Sequence, residues 1–245
     1  MSSIVDERGY NQIFVPRPAQ ALRLRRRAQV IIDALPPAAG GEPRRLLELG
    51  CGMGEMADML AGLTEARVTG VDLSERFISH ARATYQRPNL DFLVANLTQE
   101  VPVAEQDRYH AIVGNGILHH LYYHLDTVLP ALHRWLRPGG RLIFWEPNLW
   151  NPYIWTIFTW APFRRLTKLE PDEMAFTADF IRAKLARAGF PKIEVTTRDF
   201  LLPNTPDALI RPVVAVSDVL DRVPLVNRTA QSLFLVAEKT ADTAT

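Results

Sequence analysis

Three closely spaced glycines that follow an acid are the residues with the clearest chemical potential in this chain. The segment runs from Glu48 through Gly50 and Gly52 to Gly54. Glycine permits tight turns and lets a ligand approach the backbone closely. A helix that begins directly after such a loop directs its free N–H groups at the ligand. Because an ordinary strand-to-helix turn also uses glycine, the loop predicts a binding site only together with other residues.

An acid further along the chain suggests which ligand the loop would take. Asp72 lies 22 residues beyond Gly50, and a carboxylate there can accept hydrogen bonds from both hydroxyls of a ribose. The spacing is G-x-G-x-G rather than the G-x-G-x-x-G of dinucleotide sites. Glu55 at the start of the following helix is unfavourable beside a pyrophosphate. These residues favour a nucleoside without phosphates and with a cationic part, which is the form of S-adenosylmethionine (SAM).

Alternating apolar runs and helical periods predict the elements that would position these residues. Strands are predicted over 45–49, 67–71, 90–95, 111–115, 141–145, 193–197 and 233–238, and helices over 19–35, 55–63, 74–85, 125–136 and 177–188. Strands separated by helices indicate βαβ units and a mostly parallel sheet. In such a sheet, ligands bind beyond the carboxyl ends of the strands.

The residues that end the first five predicted strands support a site at that edge. Each of these strands is followed by glycine or by a polar side chain, in order Gly50, Asp72, Asn96, Asn115 and Glu146. One such ending carries little weight, but five along one predicted edge indicate a binding site there.

Four stretches resemble the motifs of class I SAM-dependent methyltransferases: 46–57 (LLELGCGMGEMA), 68–73 (VTGVDL), 112–121 (IVGNGILHHL) and 136–147 (LRPGGRLIFWEP). The matching region runs from about 44 to 200. The resemblance implies an α/β, three-layer αβα fold with a seven-stranded, mostly parallel sheet whose last strand is antiparallel. It also implies a single domain over 1–245, with SAM as cofactor and S-adenosylhomocysteine (SAH) as product.

The resemblance assigns roles to individual positions. Glu48 would hold the methionine end of the cofactor through water or backbone, Asp72 the ribose, and Asn115 would lie near the methionine part. Asn96 stands where the family more often has Asp, near the adenine. The other implied cofactor contacts are Gly50, Cys51, Gly52 and Gly54 in the loop, and Leu73 and Leu97 beside the adenine.

His119, His120 and Glu146 are the predicted catalytic residues. Methyl transfer is an in-line displacement that needs orientation, and deprotonation where the acceptor requires it. Histidine is the side chain that most readily exchanges a proton near neutral pH. The two rings would otherwise pack and shape the pocket. His120 and His124 have helical spacing that suits a metal, but no acids accompany them, so no metal is expected.

Acceptor choice is predicted to lie outside the common framework. An N-terminal helical lid over 1–43 and two inserts, over 147–176 and 202–231, would surround the substrate, with Tyr10, Phe14, Trp150 and Tyr153 as predicted contacts. Apolar and aromatic walls suit a small, fairly apolar molecule, and oxygen is the expected methylated atom. The first insert would otherwise pack on the core or lie on a membrane surface.

Composition narrows the function classes. The 28 basic residues nearly balance the 27 acidic ones, which argues against binding nucleic acid through bulk charge. The arginines Arg23, Arg25, Arg26 and Arg27 are therefore predicted to form a solvated helix face. One cysteine rules out a disulfide framework within the chain.

No apolar run reaches membrane-spanning length, and no secretory signal is evident. We therefore expect a cytoplasmic protein without stable membrane insertion. A homodimer is a possible assembly. Two alternatives stay open at this point: a non-catalytic SAM-binding subunit, and a protein or tRNA methyltransferase.

Overall fold

Seven strands form one sheet in the order β3-β2-β1-β4-β5-β7-β6 in the computed structural model, which describes residues 17–37, 41–99, 106–203 and 205–240. Neighbouring strands from β3 to β5 are parallel, whereas β7 is antiparallel to both β5 and β6. The strands are β1 (Arg45–Leu49), β2 (Arg67–Asp72), β3 (Leu90–Val94), β4 (Tyr109–Asn115), β5 (Leu136–Pro147), β6 (Lys192–Arg198) and β7 (Ser232–Glu238). The predicted fold is confirmed.

Helices cover both faces of this sheet. The described helices are α1 (Pro18–Asp33), α2 (Glu55–Leu63), α3 (Glu75–Thr84), α4 (Leu125–Trp135), α5 (Pro152–Thr159), α6 (Ala161–Leu166), α7 (Ala178–Arg187) and α8 (Asp207–Leu220). Leu46 of β1 packs in the cluster that contains residues of α1, α2 and α3, and its neighbour Leu47 packs in the cluster that contains residues of α4 and α7. Successive side chains on a strand point to opposite faces, so the two clusters are the two interfaces of a three-layer αβα fold.

The central strands are apolar because both of their faces are covered. In β4, Ala111, Ile112 and Val113 are fully buried, and in β1 the side chains of Leu46, Leu47 and Leu49 are fully buried. Near-continuous apolar runs are typical of parallel strands inside α/β folds. This pattern places Glu48 and Asn115 at the same edge, because β1 and β4 run in parallel and in register.

The two predicted inserts contain short helices. The first holds α5 and α6, and Asn151 begins α5 by accepting a hydrogen bond from the N–H of Ile154. The α5 residues Ile154, Ile157 and Phe158 form a separate small apolar cluster with Ala175. The second insert holds α8, which contacts α1.

Several element boundaries differ from the sequence prediction by one or two residues, and the start of β5 differs by more. Strand β5 begins at Leu136 rather than at 141, because Leu136 pairs with Tyr109 before an irregularity in the β4–β5 register. For the same reason α4 ends at Trp135. The predicted start of α3 is confirmed, since the Ser74 hydroxyl accepts a hydrogen bond from the N–H of Phe77. Within the described ranges, no helix has the length and apolarity required to cross a bilayer.

Candidate active site

The glycine loop between β1 and α2 has the backbone conformation that glycine permits. Gly50, Gly52 and Gly54 have φ angles of 63°, 54° and 93°, in the left-handed region that other residues rarely adopt. A Cβ on Gly50 would approach Ile117 to 2.8 Å, and one on Gly54 would approach Phe92 to 2.8 Å. A Cβ on Gly52 would meet no atom of the described residues within 4 Å. Gly50 and Gly54 are therefore needed for packing, whereas Gly52 leaves its backbone open to a ligand.

Asp72 at the end of β2 is fixed against this loop. One of its carboxylate oxygens accepts the N–H of Gly52 at 2.9 Å, and the other accepts the N–H of Ser74 at 2.8 Å. Burial raises the pKa of Asp72, and the two backbone N–H groups oppose that effect. The carboxylate is thus held in a single orientation beside the loop.

Glu48 on β1 contributes a buried carboxyl group with spare hydrogen-bonding capacity. The residue is 2% exposed, and its Oε2 atom has no hydrogen-bond partner within the described part of the chain. Burial, together with the charges of Glu55 and Asp72, raises its pKa well above the usual range. An unsatisfied buried acceptor is costly, so this oxygen suits a hydrogen-bond donor or a cation brought by a ligand.

Glu146 at the end of β5 anchors the turn that follows β4. Its Oε1 atom accepts the N–H groups of Ile117 (3.0 Å) and Leu118 (2.7 Å), and its Oε2 atom accepts the N–H of His119 at 3.2 Å. The same Oε2 lies 2.9 Å from Nδ1 of His119. Since both oxygens serve this turn, the geometry favours a positioning role for Glu146.

The first insert closes over the two histidines of this turn. Nδ1 of His120 lies 3.1 Å from Oε1 of Glu173, and Glu173 is 5% exposed. The ring centroids of His119 and His120 are 4.2 Å apart, and Phe158 packs edge-on against His119 at 5.9 Å. Glu173 was not predicted from the sequence, because it lies in an insert without a motif and meets His120 only in the folded chain.

The His120–Glu173 pair is electrostatically coupled. Burial disfavours the charged form of His120, but the hydrogen bond and charge of Glu173, with the charges of Glu146 and Asp72, outweigh it and raise the pKa of His120. Burial likewise disfavours charged Glu173, but the hydrogen bond from His120 lowers its pKa. The pair therefore favours an imidazolium–carboxylate state relative to the isolated groups.

His119, His120 and Glu173 also form the one described group whose ligand-type atoms all lie within 4.8 Å of one another, as a metal site requires. The predicted alternative partner, His124, is not a member of this group. The Nδ1 atoms of both histidines are already paired with carboxylates. The two rings are therefore linked to carboxylates through Nδ1, and the absence of a metal stays a prediction.

Comparisons with known proteins agree with this geometry. A family model described as a methyltransferase domain matches residues 46–140. A probable SAM-dependent methyltransferase of Mycolicibacterium smegmatis is 33% identical over 158 residues, 63% of this chain and 58% of that protein. A trans-aconitate 2-methyltransferase of Streptomyces coelicolor is 32% identical over 230 residues, 84% of this chain and 73% of that protein. The chain belongs to the class I SAM-dependent methyltransferases.

A solved structure supports the fold of this family, and the chain matches only part of the length of its first curated relatives. A SAM-dependent methyltransferase from Archaeoglobus fulgidus superposes on this methyltransferase with a TM-score of 0.63 at 16% identity, covering 89% of this chain and 94% of the other. That likeness supports the fold. The matched stretches span between 43% and 58% of the first three curated relatives.

The remaining predicted cofactor residues of the methyltransferase lie along the same edge. Cys51 is buried, and burial raises the pKa of its thiol, which disfavours the thiolate form. The Asn96 side-chain oxygen accepts hydrogen bonds from the N–H and hydroxyl of Thr98, at 3.0 and 2.8 Å. Leu73 is 43% exposed, while Leu97 is partly buried against the core.

The site of this methyltransferase fits SAM on its own geometry. Among the described residues, Gly52 leaves open space above the loop, Asp72 presents a fixed carboxylate, and Oε2 of Glu48 has no partner. The space at Gly52 lets a ligand pack closely against the protein backbone. Asp72 suits the hydroxyls of a ribose, and Glu48 suits a cationic methionine end.

The structure describes two of the four predicted acceptor residues, and it places them in different surroundings. Trp150 lines a cavity of about 910 Å³, and Tyr153 is 39% exposed. Trp155 and Trp160 are also exposed, whereas Phe158 and Phe176 point inward. Tyr10 and Phe14 lie outside the described residues, so their predicted roles stay predictions.

One prediction about helix α1 of the methyltransferase is wrong. Arg23 and Arg27 do not lie on a solvated face, since each side chain is only 11% exposed and pairs with Asp199 at 3.0 Å. Arg27 also donates to the Asn115 side-chain oxygen at 2.7 Å and lies over the Trp145 ring. The reason is that this side of α1 faces the polar ends of β4 and β6 rather than water. Arg25 and Arg26 are exposed as predicted.

Proposed function

We propose that this chain transfers a methyl group from SAM to an oxygen atom of a small-molecule acceptor. The observation that carries the proposal is the His120–Glu173 pair, whose Nδ1 and Oε1 atoms are 3.1 Å apart. A hydroxyl oxygen becomes a good nucleophile when it loses its proton, and a histidine paired with a carboxylate is suited to accept that proton.

The proposed cofactor-binding roles are those of the family, and the geometry of Gly52, Asp72 and Glu48 supports them. SAM, when bound, supplies a methyl group on a cationic sulphur. Asp72 would accept hydrogen bonds from the ribose hydroxyls, and Glu48 would hold the methionine end, where its Oε2 atom has no partner among the described residues. Asn115 would lie near the methionine part. The loop of Gly50, Cys51, Gly52 and Gly54 would lie beneath the cofactor, and Leu73, Asn96 and Leu97 would border the adenine.

The catalytic roles follow from the two histidine–carboxylate pairs. His120 donates its Nδ1–H to Glu173, which leaves Nε2 to accept the acceptor's proton. Glu173 stabilises the imidazolium that forms. Glu146 holds the turn in place through the backbone N–H groups of Ile117 and Leu118. His119, tied to Glu146 and covered by Phe158, shapes the wall beside the reacting oxygen.

The small-molecule class is supported by the inserts and by one relative. The first insert places Trp150 beside a cavity of small-molecule size, about 910 Å³. The Streptomyces coelicolor relative is named for a small molecule, trans-aconitate. Tyr10, Phe14 and Tyr153, together with the 1–43 lid, complete the proposed acceptor side. Homodimerisation and a cytoplasmic location are further proposals, testable by light scattering and cell fractionation.

Methyl transfer from labelled SAM to a panel of phenols, alcohols and hydroxy acids tests the proposal. We expect SAH to bind and label to appear in an organic-extractable ether or ester, with the rate falling in the His120→Ala variant but not in His80→Ala, an exposed histidine on α3. The proposal fails if SAH does not bind at high micromolar concentration. Binding without transfer to any acceptor would instead indicate a non-catalytic SAM-binding subunit, and label in protein or tRNA would indicate a macromolecular substrate.

A further inference from the structure

Arginine is the most frequent residue type in the lining of the cavity that contains Trp150. The walls of this cavity come from α1, α7, the end of β6, α8 and the residues that follow α8, together with Trp145, Asn148 and Trp150. Seven arginines and four aspartates line it, so its walls carry a net positive charge. This cavity does not include the glycine loop or Asp72, and it is thus separate from the cofactor-binding residues.

The aspartates do not neutralise the arginines of this cavity. Asp199 is shared by Arg23 and Arg27. Asp218 pairs with Arg26 and Asp179 with Arg182. The fourth aspartate, Asp221, accepts the backbone N–H of Asp199 at 3.0 Å. Three lining arginines form no ion pair within the described ranges, namely Arg198, Arg222 and Arg228.

Arg27 gives a second, independent indication that the cavity takes an anion. Its side chain is 11% exposed, and its Nε atom is buried without a hydrogen-bond partner among the described residues. Burial and the neighbouring Arg23 lower the pKa of Arg27 to about 10, so the group stays charged near neutral pH. A buried guanidinium N–H without an acceptor is unfavourable, and a ligand oxygen would satisfy it.

Arg27 also connects the cavity to the site of methyl transfer. Its Nη1 atom donates to the Asn115 side chain at 2.7 Å, and Asn115 ends the strand that leads into the His119–His120 turn. Trp150 and Asn148 of the first insert line the same cavity. A ligand held by the arginines would therefore extend towards the reacting edge, with an aromatic wall beside it.

We propose that this arginine-lined cavity binds an oxyanion group, a carboxylate or a phosphate, of the methyl acceptor. The inference rests on the proposed function, because it assigns the cavity to that acceptor. Guanidinium groups pair with such oxyanions through two parallel N–H···O hydrogen bonds. The acceptor is then a small organic anion with an apolar body, and its hydroxyl is the atom presented to His120. This changes the sequence-based expectation of a fairly apolar acceptor in one respect, the anionic group.

Calorimetric titration of the full chain, saturated with SAH at low ionic strength, tests the proposal with three probes. 4-Hydroxybenzoate and phenyl phosphate carry the two oxyanions, and 4-hydroxybenzamide is the neutral match. We expect one or both anions to bind at least about tenfold more tightly than the amide. The proposal is overturned if neither anion binds up to about 10 mM, or if the amide binds equally well.

Matched charge variants separate a specific site from bulk attraction. Arg198→Gln/Arg222→Gln removes two cavity arginines that have no ion pair in the described structure, and we expect it to weaken anion binding by about tenfold or more. Arg25→Gln/Arg211→Gln removes the same charge from exposed positions of α1 and α8 that do not line the cavity, and we expect unchanged binding. Equal losses in both double variants would overturn the proposal, and so would no loss in either.

The readouts also distinguish the two proposals from each other. Transfer to neutral acceptors only, with no binding of the anionic probes, leaves the methyltransferase function standing and removes the anion site. Anion binding that depends on Arg198 and Arg222, without methyl transfer to any acceptor, leaves the anion site standing and removes the proposed function. SAH affinity should be the same in both double variants, because neither touches the cofactor residues.

Discussion

At the scale of single residues, four acids at one edge of the sheet have four different environments. Glu146 is saturated by N–H groups of the turn after β4. Asp72 accepts two backbone N–H groups, Glu173 pairs with a histidine, and Oε2 of Glu48 has no partner among the described residues. Environment rather than residue type therefore separates the roles that we propose for these carboxylates, namely anchoring, ligand binding and proton transfer.

Replacement of Asp72 by alanine should weaken cofactor binding. The variant loses the hydrogen bonds from the ribose hydroxyls to a charged group, which are worth about 1–3 kcal/mol. Calorimetric titration with SAH measures the change, with Asp91→Ala, an exposed acid on β3, as the control. Unchanged SAH affinity in Asp72→Ala would contradict the ribose assignment.

Replacement of Glu173 by glutamine should shift the pH dependence of methyl transfer. Glu173, with Glu146 and Asp72, raises the pKa of His120 above its ordinary value of 6.5. Since only neutral His120 can accept a proton, the rate should rise with pH through that raised pKa. Removal of the Glu173 charge lowers the pKa, so the acidic limb of the rate profile should move to lower pH.

The pH–rate profile of kcat distinguishes this role from a structural one. Glutamine keeps a hydrogen-bond acceptor near His120, so the fold should be retained. Glu65→Gln, at an exposed position after α2, should leave the limb where it is in the wild type. An acidic limb at the same pH in Glu173→Gln and the wild type would show that Glu173 does not raise the pKa of His120. A flat profile in both would indicate an acceptor that needs no deprotonation.

At the scale of elements, two glycines of the loop between β1 and α2 have different roles, one in packing and one in leaving space for a ligand. Gly54 sits where α2 begins, with its Cβ direction blocked by Phe92 and Ala81. Gly52 has open space in the same direction. The helix can start close to the strand because of Gly54, and the ligand can come close to the backbone because of Gly52.

Alanine substitutions should separate these purposes. Gly54→Ala combines a left-handed φ with contacts below 3.0 Å, so we expect a loss of more than about 2 kcal/mol in the free energy of unfolding. Gly52→Ala bears only the backbone cost of about 1–2 kcal/mol, but its methyl group occupies the ligand's space, so SAH affinity should fall. Urea denaturation and calorimetry measure the two effects. A Gly52→Ala variant with wild-type SAH affinity would place the cofactor elsewhere.

At the scale of the whole molecule, a buried polar network joins the first helix to the far end of the sheet. Asp199 follows β6 and pairs with Arg23 and Arg27 of α1, while Ser232 begins β7 and accepts a hydrogen bond from Arg27. These contacts close the edge formed by β4, β7 and β6. They also fix the arginines that line the cavity.

Removal of Asp199 should destabilise the fold and change its pH dependence. Burial disfavours the charged carboxylate, but the charges of Arg27 and Arg23 outweigh it and lower its pKa below 3.8. The stabilisation is therefore present above pH 3.8 and is lost as pH falls through the lowered value. Asp199→Ala leaves two arginines unpaired, and we expect a loss of about 3–5 kcal/mol at pH 7.

Urea denaturation at pH 7 and at progressively lower pH measures this loss. The difference between the wild type and Asp199→Ala should shrink as the pH falls below 3.8. Glu194→Ala removes an exposed acid from the same strand, β6, and should cost less than about 0.5 kcal/mol. A small loss in Asp199→Ala at pH 7 would show that the arginines find other partners.

The sequence by itself determined the sheet and the cofactor edge. Apolar runs of strand length separated by helical periods specify parallel βαβ units, and parallel strands end at one edge, so Glu48, Asp72 and Asn115 had to meet there. The spacing of the glycines predicted the tight loop, because glycine permits backbone conformations that other residues rarely adopt. Neither inference depends on how the inserts pack.

Only the tertiary structure decided the partners of the polar side chains. His120 meets Glu173 because α5 and the rest of the first insert fold back over the turn after β4. Arg27 meets Asp199 across 172 residues of chain, which turned a predicted solvated face into a buried one. Such contacts leave no periodic signal, because each depends on the docking of an insert or a terminal helix. The framework of the fold could therefore be predicted from local pattern, whereas the His120–Glu173 pair and the arginine-lined cavity exist only once distant segments pack together.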